Sequence, residues 1–189
     1  MTTSRDRNRI ERNKMARTQY EGDWSKDVHD ALDGSGVTQI GYVPDGGMKN
    51  VINYCIDNPK MSAIPLASEE EGPCLAAGAW LGGGKAAIIM QSTGIGNAIN
   101  TFSMIEVCQF PCLVLVSHRS SWGEGNRWQT PMGQRGPDYF KMAGFHTHFV
   151  EHGIDAGETV AAAAAQAYNT GNGIGVFFSQ RVMGVKKFL

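Results

Sequence analysis

The chain has 189 residues, of which 42% are hydrophobic and 19% charged, with a formal net charge of −1. This composition is typical of a folded globular domain and excludes a largely disordered chain. No apolar run approaches the ~18 residues of a membrane span, and the charged N-terminus is not that of a signal peptide. We therefore expect a cytoplasmic protein with no membrane partner.

The charge is unevenly distributed along the chain. Residues 1–17 hold six basic and two acidic side chains, a net charge of +4, which leaves −5 for the remainder. A basic arm can bind nucleic acid, but no aromatic residue suited to base stacking precedes Tyr20. We interpret residues 1–20 as a solvated, flexible arm, and we expect no nucleic-acid partner.

Helical and strand patterns alternate after this arm. An amphipathic helix is predicted at 24–32, where Trp24, Val28 and Leu32 share one face and glycines follow. Strands are then predicted at 38–43, 61–67 and 85–91, and helices at 48–56, 69–81 and 94–108. The segment 85–91 (KAAIIMQ) is a continuous apolar run, which is typical of a strand buried on both faces.

The second half continues the alternation with one long interruption. Strands are predicted at 112–117, 146–150 and 174–178, and a helix at 159–168. Glycine and proline in a polar stretch between 118 and 137 predict a long loop, and loops of that length are commonly functional. The four cysteines lack CxxC spacing and lie in apolar contexts, so we expect small buried side chains.

The order of these elements predicts the fold class. Strand and helix alternate about six times, which indicates an α/β fold with a three-layer, doubly wound, mostly parallel six-stranded sheet and helices on both faces. Such sheets bind ligands at the carboxyl ends of their strands. We therefore expect the functional residues in the loops that begin at Pro44, Ser68, Gln91, Ser117 and Val150.

Two of these loops carry unusual residues. Glu69, Glu70 and Glu71 stand at the start of a predicted helix. Acidic residues there stabilise a helix through its dipole, but this effect does not require three in a row. The residues alone leave open whether one of them has a chemical role. The segment 91–97 (QSTGIGN) contains a GxG, but the third glycine position of a dinucleotide fingerprint is Ile99, so the pattern indicates only close approach of the backbone to a ligand.

Residues 68–100 resemble the pyrimidine-binding domain of thiamine-diphosphate enzymes. Among these enzymes, the resemblance is strongest to the sulfopyruvate and phosphonopyruvate decarboxylases. The family pattern is a glutamate followed nine residues later by glycine, then an apolar strand and QxSGxGN. Glu69, Gly78 and the segment 91–97 match it in that order. VPDGG at 43–47 and FPCLVLVSHR at 110–119 also fit in order and spacing.

The resemblance implies that residues 21–189 form a domain that binds the aminopyrimidine of thiamine diphosphate. Glu69 is then the catalytic residue, because its carboxyl hydrogen-bonds N1′ of that ring and activates the cofactor. A shift of the pattern by one residue selects Glu70 instead. The implied cofactor-binding residues are Pro44, Asp45, Glu69, Gln91, Gly94, Ile95 and Asn97.

One part of the family's cofactor site is missing from the sequence. Thiamine-diphosphate enzymes hold the diphosphate and Mg²⁺ through a GDG motif and a later asparagine, and this chain contains no GDG. The resemblance therefore implies a β subunit that carries the GDG motif and holds most of the diphosphate and Mg²⁺. The chain is expected to be the α subunit of such a heterooligomer, and to be active only with its partner.

The implied reaction is the decarboxylation of a small anionic 2-oxoacid, 3-sulfopyruvate to sulfoacetaldehyde and CO₂. Decarboxylation or carboligation of phosphonopyruvate or another 2-oxoacid is the alternative. An anionic tail calls for arginine, histidine and backbone donors. His118 and Arg119 directly follow a predicted strand and are expected to bind substrate together with Gln91, while Arg127 and Arg135 stay open as candidates.

Two other hypotheses were compared with this one. His146 and His148 share a strand face near His152, but no carboxylate or cysteine completes a metal site at suitable spacing, so none is predicted. A non-catalytic pyrimidine-domain subunit that scaffolds a partner is the competing functional class. Glu69 beside a complete 91–97 segment favours the enzyme.

Overall fold

The computed structural model describes residues 20–185, so the expected N-terminal arm lies outside the described residues except for Tyr20. The strands are β1 (Gln39–Tyr42), β2 (Ser62–Pro65), β3 (Ala86–Gln91), β4 (Cys112–His118), β5 (His146–Val150) and β6 (Gly173–Ser179). The helices are α1 (Trp24–Gly34), α2 (Lys49–Asp57), α3 (Glu71–Leu81), α4 (Ile95–Ala98), α5 (Ser103–Cys108), α6 (Thr130–Met142), α7 (Ala156–Thr170) and α8 (Gln180–Met183).

The six strands form one parallel sheet in the order β2-β1-β3-β4-β6-β5. This confirms the predicted α/β class with a doubly wound sheet. The chain moves outward from β1 to β2 and returns to the other side of β1 with β3, so the strand order reverses between β1 and β3. Ligands of open parallel sheets bind at such a reversal, beyond the carboxyl ends of the strands.

Two hydrophobic cores lie on the opposite faces of the sheet. One contains buried side chains of α1, α2 and α7, and the other contains those of α3, α4, α5 and α6. Alternate residues of β3 serve the two cores, because Ile88 belongs to the second and Ile89 to the first. The continuous apolar pattern of β3 therefore has the predicted cause, which is burial on both faces.

The segment predicted as one loop between 118 and 137 is largely helical, and this prediction was wrong. Irregular chain ends at Asn126, a short 3₁₀ turn spans Arg127–Gln129, and α6 follows. The glycines that suggested a loop allow close packing instead. A Cβ at Gly133 would lie 2.1 Å from the carbonyl oxygen of Arg119, and one at Gly136 would lie 2.9 Å from Cδ1 of Ile95.

The proline that suggested a loop is accommodated by a side chain from β4. Pro137 lies inside α6 and has no N–H to donate to the carbonyl of Gly133, four residues earlier. His118 lies with Nε2 2.9 Å from that carbonyl oxygen, so Nε2 carries the proton and donates it. The helix therefore continues through the proline without an unpaired carbonyl at this point.

Three smaller differences also concern local structure. The predicted helix at 94–108 is divided into α4 and α5 by a turn. Cys55 and Cys112 are buried as expected, whereas Cys74 and Cys108 are exposed, so the expectation was wrong for those two. Within residues 20–185, no helix combines the length and apolarity that crossing a membrane requires.

Candidate active site at the carboxyl edge of the sheet

Three consecutive glutamates follow β2, and the structure separates them. Glu69 is 9% exposed, whereas Glu70 and Glu71 are exposed. Glu71 accepts a hydrogen bond from the backbone N–H of Ala67 (3.0 Å), which stabilises the start of α3. Glu69 alone of the three faces a cavity and lies in the register that the family pattern selects.

The carboxylate of Glu69 is held by the loop that follows β3. Nδ2 of Asn97 donates a hydrogen bond of 2.8 Å to Oε2 of Glu69. The side chain also lies so close to Gly94 that a Cβ there would be 2.4 Å from Oε1 of Glu69. No hydrogen bond from residues 20–185 reaches Oε1, so that oxygen is available to a ligand.

The cavity beside Glu69 has a volume of about 870 Å³, which is within the usual size range of small-molecule sites. Two segments form its walls, the loop and helix that follow β3 and the segment that begins α6. Its lining residues are Glu69, Thr93, Gly94, Gly96, Asn97, Arg127, Trp128, Pro131 and Met132.

A second, more polar cavity of about 390 Å³ lies at the reversal of strand order, where Pro44 and Asp45 follow β1 and Gln91 ends β3. Nε2 of Gln91 donates to Oγ1 of Thr93 (3.0 Å), which connects this cavity to the first. Oδ2 of Asp45 and Oε1 of Gln129 are buried without a hydrogen-bond partner among the described residues. Both are acceptors, so the cavity is suited to a ligand that donates hydrogen bonds.

The residues expected to bind cofactor therefore fall into two neighbouring groups. Glu69, Gly94 and Asn97 line the first cavity, and Pro44, Asp45 and Gln91 line the second. Ile95, the seventh, is fully buried in the core that contains α6, and its side chain lines neither cavity.

Neither His118, which ends β4, nor Arg119 after it presents a free positive charge. Burial lowers the pKa of His118 below its ordinary value of 6.5, against the opposing effects of the Gly133 carbonyl and Glu151, so the ring is neutral at pH 7. Arg119 donates from Nε (2.8 Å) and Nη2 (3.2 Å) to the carboxylate of Glu124. The expectation that both side chains are well placed to bind an anionic tail loses its electrostatic basis, although Arg119 lines the second cavity.

The outer wall of the first cavity was missed because its segment was interpreted as an irregular loop. It includes Arg127, Trp128, Pro131 and Met132. Two local signals favour a helix start there. Oδ1 of Asn126 accepts a hydrogen bond from the Trp128 N–H (3.1 Å), and Pro131 stands in the first turn of α6.

The three histidines considered for a metal site do not converge with acidic or sulfur ligands. His146 is exposed, and Nε2 of His148 lies 2.8 Å from Oε1 of Gln166. Among residues 20–185 there is no group of three or more His, Cys, Asp or Glu side chains arranged to hold a metal ion.

Comparison with known proteins identifies the family. The model described as "Thiamine pyrophosphate enzyme, N-terminal TPP binding domain" matches residues 23–142. This chain belongs to that family. The matched segment of this thiamine pyrophosphate enzyme domain includes every residue that lines the first cavity and ends with α6.

Sequence relatives refine the comparison and confirm the resemblance found in the sequence. Sulfopyruvate decarboxylase subunit alpha of Methanococcus maripaludis is 41% identical over 111 residues, 58% of this chain and 66% of that protein. The protein of the same name from Methanocaldococcus jannaschii is 38% identical over 108 residues, 57% of this chain and 64% of that protein. The match thus spans less than two thirds of either relative. Phosphonopyruvate decarboxylase of Streptomyces viridochromogenes is 35% identical over 99 residues, 52% of this chain and 25% of that protein.

A solved structure supports the fold assignment. The structure of 2-oxoglutarate:ferredoxin oxidoreductase from Magnetococcus marinus with 2-oxoglutarate, coenzyme A and succinyl-CoA bound gives a TM-score of 0.68. The match covers 85% of this chain and 29% of the other at 14% identity. At that identity the likeness shows a common fold and nothing more.

Proposed function

We propose that this chain is the α subunit of a two-subunit, thiamine-diphosphate-dependent decarboxylase that converts 3-sulfopyruvate to sulfoacetaldehyde and CO₂. The observation that carries the proposal is the position of Glu69. It is buried at the carboxyl edge of the sheet, bonded on one oxygen by Asn97 and open on the other to a cavity. The relatives named sulfopyruvate decarboxylase subunit alpha support the substrate and the division into subunits.

The first cavity fits the aminopyrimidine of the cofactor. A ring nitrogen that hydrogen-bonds to Glu69 requires a carboxyl oxygen with no other partner. Oε1 has none among residues 20–185, because Asn97 bonds to Oε2. Glycine at position 94 leaves room for the Glu69 side chain, and glycine at position 96 adds no side chain to this wall of the cavity. Gly94, Asn97 and Glu69 would hold the ring, with Pro44, Asp45 and Gln91 along its neighbouring cavity.

In this mechanism Glu69 holds and moves a proton at N1′ of the aminopyrimidine. Asn97 fixes the direction of the carboxyl group, and the core residues behind it exclude water. Thiamine diphosphate, when bound, supplies the nucleophilic carbon and the electron sink that decarboxylation of a 2-oxoacid requires. The substrate carboxylate leaves as CO₂ and a proton replaces it, so the carbon skeleton becomes an aldehyde.

A partner chain would supply the remainder of the site, including a GDG motif for the diphosphate and Mg²⁺. An exposed apolar face on α3 supports this part of the proposal. The helix is apolar on nearly every side, and a helix of that kind is normally buried. Yet Leu81 is 87% exposed and Trp80 42% exposed, and the same helix follows directly after Glu69. Trp80 and Leu81 end α3, so a chain that covers the whole length of this helix would adjoin the site at the other end.

The experiment uses the chain alone and the chain mixed with a protein that contains GDG and a later asparagine. Calorimetry should detect negligible binding of thiamine diphosphate and Mg²⁺ to the chain alone, and clear binding to the mixture. The mixture should then release CO₂ from 3-sulfopyruvate. Tight Mg²⁺-dependent binding to the isolated chain would refute the divided site.

Phosphonopyruvate is the second candidate substrate, because relatives named phosphonopyruvate decarboxylase match the same segment. Parallel assays with 3-sulfopyruvate, phosphonopyruvate and pyruvate distinguish the two and reveal any other 2-oxoacid activity. A non-catalytic scaffold is the competing class. It predicts that the mixture assembles and turns over none of these acids.

A further inference from the structure

Arg127 is the only basic side chain among the described residues that line the 870 Å³ cavity beside Glu69. We infer that its guanidinium binds the anionic tail of the substrate and so determines specificity for a sulfonated acid. The inference rests on the proposed function. By sequence alone, three arginines and one histidine are candidates for this selectivity, and the inference assigns it to Arg127.

Two of the other candidates, Arg119 and His118, already have partners within the chain. The side chains of Arg119 and Glu124 are 9% and 4% exposed, and they form an ion pair of 2.8 Å. Glu124 also accepts a hydrogen bond from Nε2 of Gln180 (3.0 Å), so its carboxylate is stabilised by donors within this chain. His118 is neutral at pH 7 and donates its Nε2 proton to Gly133. The charge of Arg119 is therefore balanced by Glu124, and His118 carries no charge to offer an anion.

The carboxylate of Glu124 also fixes the segment that carries Arg127. Oε1 of Glu124 accepts from the backbone N–H of Asn126 (2.9 Å), directly before Arg127. The side chain of Asn126 in turn accepts from the N–H of Trp128 (3.1 Å). Arg127 therefore lies between two anchored residues at the cavity wall, which limits the conformational entropy lost on binding.

The side chain of Arg127 has no partner of this kind in the described part of the chain. It forms no ion pair or side-chain hydrogen bond with any of residues 20–185, although Glu69 lines the same cavity. A guanidinium presents several donors in one plane and binds sulfonate or phosphonate oxygens in pairs. Arg135 on α6 is exposed, as Arg127 is, but it lines neither of the two cavities.

The binding experiment uses 3-sulfopropionate, which cannot be decarboxylated, and propionate, which lacks the second anion. The readout is the indole Nε1–H signal of Trp128 in two-dimensional NMR spectra of the full chain, because Trp128 adjoins Arg127 and is 81% exposed. Millimolar 3-sulfopropionate should shift this signal saturably, and propionate should not. Arg127→Gln should weaken the binding at least ~10-fold, the loss of one charge-assisted hydrogen bond. Arg127→Lys should weaken it less, and Arg135→Gln should match the wild type.

Failure of this inference is distinct from failure of the proposed function. A saturable shift that survives Arg127→Gln, or the absence of any shift in the wild type, would overturn the role of Arg127 whether or not the protein is a decarboxylase. In the active mixture, Arg127→Gln should also lower the ratio of kcat/KM for 3-sulfopyruvate to that for pyruvate by ~10²-fold. An unchanged ratio would likewise overturn the inference.

Discussion

The side chain of Glu69 packs directly against the backbone of Gly94. A Cβ at Gly94 would lie 2.4 Å from Cγ, Cδ and Oε1 of Glu69, well inside van der Waals contact. The backbone does not itself require glycine, because Gly94 has φ −66° and ψ −20°, which any residue adopts. Glycine at this position is therefore explained by the room that the glutamate needs.

This contact predicts that Gly94→Ala displaces the carboxylate while the chain still folds. The flexible Glu69 side chain can move away, so the free energy of unfolding should change by less than about 1 kcal/mol. Decarboxylase activity in the presence of the partner should fall ~10²-fold or more, as for removal of a general acid–base group. The matched control is Gly34→Ala, where a Cβ meets nothing within 4 Å. Equal activity of the two variants would contradict the prediction.

Glu69→Gln tests the carboxyl group without changing its shape. The amide can still accept from Asn97 but cannot exchange a proton at N1′, so kcat should fall ~10²–10⁴-fold with little change in stability. The measurement combines kcat with exchange of the C2 proton of bound cofactor, followed by NMR after acid quench. Glu70→Gln should be nearly silent because that side chain is exposed. Loss of exchange in Glu70→Gln instead would show that the family pattern is shifted by one residue.

Leu81→Glu tests the partner surface on α3. Leu81 is 87% exposed, so a charge there should leave the folded chain intact but should oppose burial against a second protein. We expect an unchanged thermal midpoint for the chain alone and loss of complex formation in size-exclusion chromatography. Met142→Glu is the matched control, since Met142 is 79% exposed at the end of another helix, α6. Normal assembly of Leu81→Glu would exclude this face as the interface.

The ion pair between Arg119 and Glu124 predicts a pH dependence of stability. Burial raises the pKa of Glu124, but hydrogen bonds from Arg119 and the N–H of Asn126 outweigh it, so the pKa lies below its ordinary value of 4.5. Ionised Glu124 therefore contributes its full stability above the unfolded-state pKa and loses it as the pH falls through the folded-state pKa.

Glu124→Gln should accordingly lower the free energy of unfolding by about 2–3 kcal/mol at neutral pH, the typical loss of a hydrogen-bonded charge. The difference from the wild type should stay constant above the ordinary pKa of 4.5 and shrink below it. Urea titrations across this pH range measure both curves. A difference that grows on acidification would show that the sign of the shift is wrong.

His118 and Pro137 predict a non-additive pair of substitutions. His118→Phe keeps the ring contacts with Phe177 but leaves the Gly133 carbonyl unpaired, at a cost of about 1–3 kcal/mol. Pro137→Ala in the same chain introduces a backbone N–H that can donate to this carbonyl, so the double variant should regain part of the loss. A double-mutant cycle in urea measures the coupling. Additive losses would show that the carbonyl does not connect the two residues.

The sequence by itself determined the fold class and the family. The continuous apolar patterns of β3 and β4 indicate burial on both faces, and the alternation of strands with helices indicates a parallel sheet between two helical layers. The spacing between Glu69 and Gly78 is equally local, because a strand end and the following helix lie adjacent in the chain. Information of this kind needs no knowledge of distant contacts.

Tertiary structure decided the conformation of the segment after β4. By local preference its glycines and Pro137 predict a loop, but they lie in a helix. The glycines let this helix pack closely against Arg119 and Ile95, and His118 donates a hydrogen bond to the carbonyl that Pro137 leaves unpaired. The pairing of charges is decided in the same way. Arg119 and Arg127 have the same side-chain chemistry. The buried carboxylate of Glu124 neutralises Arg119, whereas Arg127 lines the cavity without an ion-pair partner among residues 20–185.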